Sequence, residues 1–361
     1  MQLTALSVQR VRKVRDLKIY PSTALNCICG ANGSGKTSLL EAIHFLATAR
    51  SFRTTKARDV ITHGEQSLLV NGEFIDSAGQ LNRVGVEKTF DQTRLRLNGD
   101  PVVIASRLAK VLPVLNFNSE SFLLLSGGPS IRRSLLDRLM FHVEHQYLDT
   151  LKRYYRALKQ RNMLLRARRG LREITAWDDQ LVPEVAQLDI WRRNCVAAIN
   201  QYLTASPIGE LIGNLQLEYY RGWNRDTDFL EILSMNVNRD RETGTTTLGP
   251  HRAELRVKID DKMAKTVVSR GQGKLIIAAI VGAQARYLSE NSIEKPILLV
   301  DDLAAELDRS ARQIALDSLL GTDSQIFFTA IDRTDLPDKL LESAKMFHVE
   351  HGQIQPVVTT Q

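Results

Sequence analysis

Gly30-Ala31-Asn32-Gly33-Ser34-Gly35-Lys36-Thr37 is the stretch that decides the fold. It fits G-x4-G-K-[ST], and its surroundings are those the pattern requires. Residues 24–29 form a short apolar run before it, and Leu39, Leu40, Ile43, Leu46 and Ala47 make a helical stripe after it. Glycines let a chain wrap a phosphate and turn its N–H groups inward. The helix N-terminus that follows adds positive potential. Lys36 is expected to reach the β- and γ-phosphates of a nucleoside triphosphate, and the Thr37 hydroxyl to ligate Mg²⁺.

Farther along, Ile297-Leu298-Leu299-Val300-Asp301-Asp302 reads as a buried strand ending in two carboxylates. Asp301, at the C-terminal end of a parallel strand, is expected to hold Mg²⁺ through water, and Asp302 to face the γ-phosphate and polarise the attacking water. Ala305-Glu306-Leu307-Asp308 follows, just before a helix. Upstream lies Ser269-Arg270-Gly271-Gln272-Gly273-Lys274, opening a strongly apolar helix. If the helix begins there, Ser269 and the Gly271 N–H point the same way and make a second phosphate receptor. A chain that already grips a triphosphate on Lys36 has little use for that receptor on the same nucleotide. The economical arrangement is two chains head to tail, each closing the other's nucleotide. Leu125-Ser126-Gly127-Gly128-Pro129 looks more like the LSGGQ signature of transporter ATPases, but it is far upstream of the acidic strand; Ser126–Pro129 is assigned a helix-capping role, with a DNA or partner contact as the alternative.

The 361 residues include 48 Lys+Arg against 41 Asp+Glu, a formal charge of +7, with 43% hydrophobic and 25% charged residues. That composition excludes a disordered chain, a collagen-like chain and a small disulfide scaffold. The length suggests about two domains. No run approaches the roughly 20 apolar residues of a membrane span. Cys27, Cys29 and Cys195 form no CxxC pair, and with no export signal before Arg10 they fit a reducing cytoplasm. The positive surplus is local. Residues 151–172 hold Lys152, Arg153, Arg156, Lys159, Arg161, Arg166, Arg168, Arg169 and Arg172 and no acid. A polyanion partner is the natural inference, with Tyr154 and Tyr155 as stacking faces; a solvated helix face fits the same pattern.

The pattern along the chain is α/β at both ends and helical between. Residues 60–103 read as strands, with hairpin turns at Asn71-Gly72 and Asn98-Gly99. Residues 129–138, 147–168 and 183–203 read as helices, and 248–259 as strand. This gives an α/β fold in three stretches. Residues 1–115 are the N-terminal half of a nucleotide-binding domain, 116–245 an inserted, mostly helical domain, and 246–361 the C-terminal half. The hexapeptide MFHVEH occurs twice, at 140–145 and 346–351, once in helical and once in strand context. The two backbones would present its histidines differently, so coincidence is favoured over a metal site.

Taken together, these residues resemble the RecF family, bacterial recombination and repair ATPases of the SMC-like ABC group. The resemblance spans nearly the whole chain. It rests on Gly30–Ser38, Glu41-Ala42-Ile43, Arg50-Ser51-Phe52-Arg53, Gly127-Gly128-Pro129, Arg132-Arg133 and Leu136-Asp137. It continues through Lys159-Gln160-Arg161-Asn162, Trp177-Asp178, Gly249-Pro250-His251-Arg252, Ser269–Gln272, Lys274, Asp301-Asp302 and Glu306-Leu307-Asp308, to Met346-Phe347. Val11-Arg12-Lys13 stands where similar proteins often carry an aromatic-Arg-Asn triplet.

The resemblance implies an ABC-type ATPase head (a P-loop NTPase) with a helical second domain and no long coiled coil. It further implies ATP with Mg²⁺ as cofactors, ATP-dependent homodimers, slow DNA-dependent hydrolysis, and DNA binding at gaps. RecR and RecO are the implied partners in loading RecA, with roles in DNA replication and the SOS response. Two other readings compete. A transporter ATP-binding subunit would carry LSGGQ just before the acidic strand and lack the helical insertion. A nucleotide-binding scaffold without turnover would not need the intact carboxylates.

Overall fold

A computed structural model describes residues 1–303, 307–332, 337 and 342–355. The chain forms two compact units, one of residues 1–122, 206–208 and 268–361, the other of 123–205 and 209–267. The second boundary falls at residue 268 rather than 246 because Glu254–Ile259 pairs antiparallel with Leu215–Tyr220 and with Lys262–Met263 in a sheet of its own. Once that sheet forms, residues 246–267 belong with the helices.

The first unit has two six-stranded sheets. In one, five strands run parallel in the order Lys345–Glu350, Leu25–Cys29, Gln325–Ala330, Ile297–Val300, Val114–Phe117, with Gln353–Gln355 antiparallel at one edge. Leu298, Leu299 and Val300 are buried, as are all six residues of Gln325–Ala330; central parallel strands covered on both faces read as such continuous runs. The other sheet is antiparallel and contains Gln2–Val11 and Ser67–Ile75 at its centre. Helix Lys36–Thr48 joins a single core with both sheets. Leu39, Leu40, Ile43 and Leu46 pack there with Leu6, Val8, Phe74 and Val86 of one sheet and Ile297 and Phe327 of the other.

One expected turn is corrected. Asn71-Gly72 lies in the middle of strand Ser67–Ile75, paired with Leu6, Ser7, Val84 and Gly85 on its two sides. Gly72 is small for packing reasons, since a Cβ there would sit 2.6 Å from Leu46 Cδ1. Asn98-Gly99 is a true hairpin turn, with φ of 55° and 92°.

In the second unit, helices Pro129–Val143, Tyr147–Arg166, Asp178–Thr204 and Phe229–Thr243 are held by buried arginines. Arg161 is 0% exposed. Its Nε donates to Asp178 Oδ1 (2.7 Å), and its Nη1 to Asp240 Oδ2 (2.7 Å) and Thr246 Oγ1 (2.8 Å). Arg192 donates to Asp137 Oδ1 (2.6 Å), Tyr147 Oη (3.1 Å) and the Pro250 carbonyl (3.0 Å). Arg132 pairs bidentately with Glu254, at 2.8 Å on both nitrogens. The segment Ser126–Pro129 does stand at a helix start, with Gly128 at the N-cap and Pro129 in the first turn.

Candidate functional site: a phosphate loop facing an acidic strand end

The site sits at the C-terminal edge of the parallel sheet, where such sheets bind ligands. Strand Leu25–Cys29 delivers the chain to Gly30, which has φ of 153° and whose added Cβ would lie 2.2 Å from the Val349 carbonyl oxygen. Only glycine fits there. Gly33 and Gly35 also take left-handed φ, 75° and 121°, as the chain curls into helix Lys36–Thr48. Gly35 is the N-cap and has no side chain to satisfy the first-turn N–H groups, so the helix start remains a donor to anions. The Ser34 hydroxyl is buried in the loop with no partner among the described residues.

Strands Ile297–Val300 and Leu25–Cys29 are separated by Gln325–Ala330, and this middle strand supplies the bridge. Thr329 Oγ1 donates to Asp301 Oδ1 (2.8 Å) and accepts from the Asp302 N–H (2.9 Å). Thr37 Oγ1 lies 3.0 Å from both Asp301 oxygens, across 264 residues of sequence. Asp302 takes a left-handed backbone, φ 53°, one of the strained non-glycine conformations that cluster at functional sites. Burial pushes the Asp301 carboxyl above its usual range, against the lowering effect of the Thr329 and Thr37 hydrogen bonds. Desolvation lowers Lys36, against the nearby carboxylates Asp301 and Asp302. Lys36 Nζ donates to the carbonyls of Gly30 (2.6 Å) and Ala31 (3.0 Å).

These groups line a cavity of about 620 Å³. Asn32, Gly33, Gly35, Lys36, Thr37, Asp301 and Asp302 all border it. Arg12, Lys13, Arg53 and Arg58 add a ring of cations that the motif alone did not reveal. Thr329 was equally hidden; its only signal is a hydroxyl near the end of an apolar strand. Hard oxygen donors from Thr37 and Asp301 suit Mg²⁺. Among the described residues no three His, Cys, Asp or Glu side chains form a metal cage, so further ligands would have to be phosphate or water.

The second expected receptor is built as a helix start. Ser269 caps helix Arg270–Asn291 in a reciprocal capping box, its Oγ accepting from the Gln272 N–H (3.3 Å) while Gln272 Oε1 accepts from the Ser269 N–H (2.9 Å). Ser269, Arg270 and Gln272 are exposed, Gly271 is half-buried, and none of the four borders the cavity. The same helix touches the acidic turn through Lys274 Nζ, 3.2 Å from the Asp302 carbonyl. Glu306 lies outside the described residues, and Asp308 is the N-cap of helix Arg309–Leu320.

Two expectations for the basic segment are corrected. Arg161 is fully buried and ion-paired with Asp178 and Asp240, so it cannot face a polyanion. Tyr154 is buried, with its hydroxyl donating to His251 Nδ1 (2.6 Å), and offers no stacking face. Lys152, Arg153, Arg156, Lys159, Arg166, Arg168, Arg169 and Arg172 remain exposed, although Arg153 pairs with Glu184. No described helix is long and apolar enough to cross a membrane.

Comparison with known proteins agrees with this architecture. Residues 2–355 match the RecF/RecN/SMC N-terminal domain family. The DNA replication and repair protein RecF of Cellvibrio japonicus is 40% identical over 365 residues, covering 98% of this chain and 99% of that protein. Its counterpart in Thioalkalivibrio sulfidiphilus is 40% identical over 358 residues, with the same coverage of each chain, 98% and 99%. Among solved structures, one described as the recombination mediator protein RecF-ATP in the RecFOR pathway superposes with a TM-score of 0.82 at 23% identity, covering 98% of this chain and 97% of that one. An Smc head bound to the winged-helix domain of ScpA shares the fold more distantly, with a TM-score of 0.59. With a relationship of this strength running almost from end to end, the chain belongs to the RecF family of DNA replication and repair proteins.

Proposed function

We propose that this protein is a cytoplasmic DNA-repair ATPase that binds ATP and Mg²⁺ in the phosphate-loop cavity and closes into a head-to-tail dimer around it. The observation that carries the reading is the meeting of Thr37 and Asp301, which joins the two halves of the phosphate chemistry in one cavity. Gly30–Thr37 cradle the polyphosphate, Lys36 leaves its loop carbonyls for the β- and γ-oxygens, and Thr37 and Asp301 hold the metal. Bound there, Mg²⁺ neutralises the polyphosphate charge. Asp302 orients and polarises the attacking water. Ser269–Gln272 of a second copy supply the remaining phosphate contacts. Their exposure, and their position away from this chain's own cavity, support that role. Two bound ATP molecules then give the closed state its differential affinity.

Asp302 is one methylene shorter than the Glu common in other ABC ATPases, and slow, switch-like turnover follows. DNA, bound at gaps, is held through phosphates by the exposed basic residues of the helical unit and stimulates hydrolysis. Association with RecR and RecO, in the loading of RecA, follows from family membership. Sedimentation with ATP, ADP or no nucleotide, each with and without a gapped duplex, tests the scheme. Dimers are expected only with ATP, and Lys36→Ala is expected to abolish them. Undiminished ATP-driven dimerisation of that variant overturns it.

A further inference from the structure

Glu41 is 0% exposed, on the buried face of the phosphate-loop helix, little more than one turn past Lys36. A buried carboxylate is costly unless paired. This one is paired three ways. Arg12 reaches it with Nε and with Nη2, the latter at 2.8 Å from Oε1, and the Ser51 hydroxyl donates to the same Oε1. Both partners come from segments that border the nucleotide cavity. Arg12 sits in the turn between the first two strands, in a left-handed conformation (φ 51°), and itself lines the cavity. Its Nη1 donates to the Asp59 carbonyl at 2.7 Å. Ser51 Oγ accepts from the N–H groups of Arg53 (2.9 Å) and Thr54 (3.1 Å), and Thr54 Oγ1 donates to Asp59 Oδ2 (2.7 Å). Arg53, Arg58 and Asp59 also line the cavity.

One carboxylate thus fixes two cavity walls to the helix that begins at Lys36. A guanidinium has five N–H donors. Three of Arg12's are used by Glu41 and Asp59, and two remain for a ligand. Bidentate pairing also removes the rotamer freedom that a long side chain otherwise loses on binding. We propose that Glu41 is a positioning residue for nucleotide capture, holding Arg12 as a preorganised second cation for the polyphosphate opposite Lys36. The proposal rests on the ATP reading above.

The test is a double-mutant cycle on the full chain, titrating Mg·ATP into wild type, Arg12→Ala, E41Q and the double variant, with thermal unfolding followed alongside. Gln keeps the volume of Glu41 and loses the charge. Each single variant is expected to bind ATP roughly ten- to a hundredfold more weakly, the worth of a charge-assisted hydrogen bond. The double variant is expected to bind no more weakly than Arg12→Ala alone, because Glu41 acts through Arg12. Wild-type affinity in E41Q, or a double variant showing the product of the two losses, overturns the positioning role while leaving the ATP site intact. A wild type that does not bind ATP overturns both. Should E41Q fail to fold, E41D, which keeps the charge and withdraws it from Arg12, replaces it in the cycle with the same expected pattern.

Discussion

Arg161 and Lys36 are both cations drawn out of bulk water, and they differ in what surrounds them. Arg161 is met by two carboxylates and a hydroxyl within its own unit, so its charge is neutralised where it stands. Among the described residues Lys36 donates only to carbonyls of its own loop, and desolvation holds its proton affinity below the usual lysine range. The first arrangement is charge-balanced without a ligand, although Arg161 Nη2 finds no hydrogen-bond partner among the described residues. The second feels the Asp301 and Asp302 carboxylates, but its hydrogen bonds are to neutral carbonyls, at the start of a helix whose N–H groups have no side-chain cap. A buried charge that the fold has already paired is architecture, and one it leaves underpaired beside a cavity is a binding site.

The largest effect is expected where the charge is already balanced by buried carboxylates. Arg161→Ala leaves Asp178 and Asp240 buried and uncompensated, and should cost about 3–5 kcal/mol of stability. Burial already raises Asp178 above its usual range even with Arg161 present. Chemical denaturation measures the loss. Stability within about 1 kcal/mol of wild type would erase the distinction between the two clusters.

Next in size is the chemistry of the incomplete cluster. Asp302→Asn removes the carboxylate and keeps a residue type that tolerates the left-handed φ of 53°. ATP hydrolysis should fall about a hundredfold, within the range for losing a general base, while ATP affinity and the unfolding midpoint stay unchanged. A variant that hydrolyses at the wild-type rate would transfer the water-orienting role elsewhere.

Much of this site was legible in sequence, and the reasons are local. The loop needs glycine at fixed offsets and a lysine and threonine at the helix start, so Gly30–Thr37 announces itself. Asp301-Asp302 after an apolar strand does so almost as clearly. Thr329 and Arg12 were not legible as site residues, because strand order brings them in and nothing in their neighbours' spacing encodes it; Glu41 follows the loop closely in sequence, but its role was hidden until Arg12 folded onto it. The dipeptide Asn-Gly makes the same point twice. At 98–99 it turns a hairpin. At 71–72 it lies mid-strand, where Leu46 and Phe74 of the core require a residue without a Cβ. Composition misled most at Arg161. A residue in a run of nine cations reads as surface until Asp178 and Asp240, distant in sequence, fold onto it.

A smaller effect separates the regions by pH. His251 is neutral in the fold. Its Nδ1 accepts from Tyr154 Oη and its Nε2 faces the Thr246 carbonyl at 2.9 Å, so the ring proton sits on Nε2. Burial lowers its pKa to about 4. The unfolded chain takes up the proton near pH 6.5, so stability is complete above that value and is lost as pH falls toward 4. The loss is about 1–3 kcal/mol. His142, whose pKa burial also lowers to about 4, acts over the same window, so His251→Gln should reduce the slope of stability against pH there without abolishing it, and an unchanged slope would assign the acid sensitivity to other groups.

The smallest expected effect concerns the charges that neither cluster uses. Arg166, Arg168 and Arg169 are exposed, and reversing all three leaves Arg161 and its partners untouched. Phosphate contacts release counterions, so each one lost should reduce the slope of log K against log salt by about one unit. Three lost contacts would weaken gapped-duplex binding about tenfold or more at moderate salt, with little dependence on sequence because phosphates carry none. The unfolding midpoint should move far less than in Arg161→Ala, since among the described residues the reversal loses only the exposed bond from Arg166 Nε to the Gly244 carbonyl (3.3 Å). The two variants alter neighbouring positions of one basic run, one buried and one exposed. If the surface reversal left DNA affinity and salt slope unchanged, the footprint would lie on another face, and the local surplus of charge would be solvation alone.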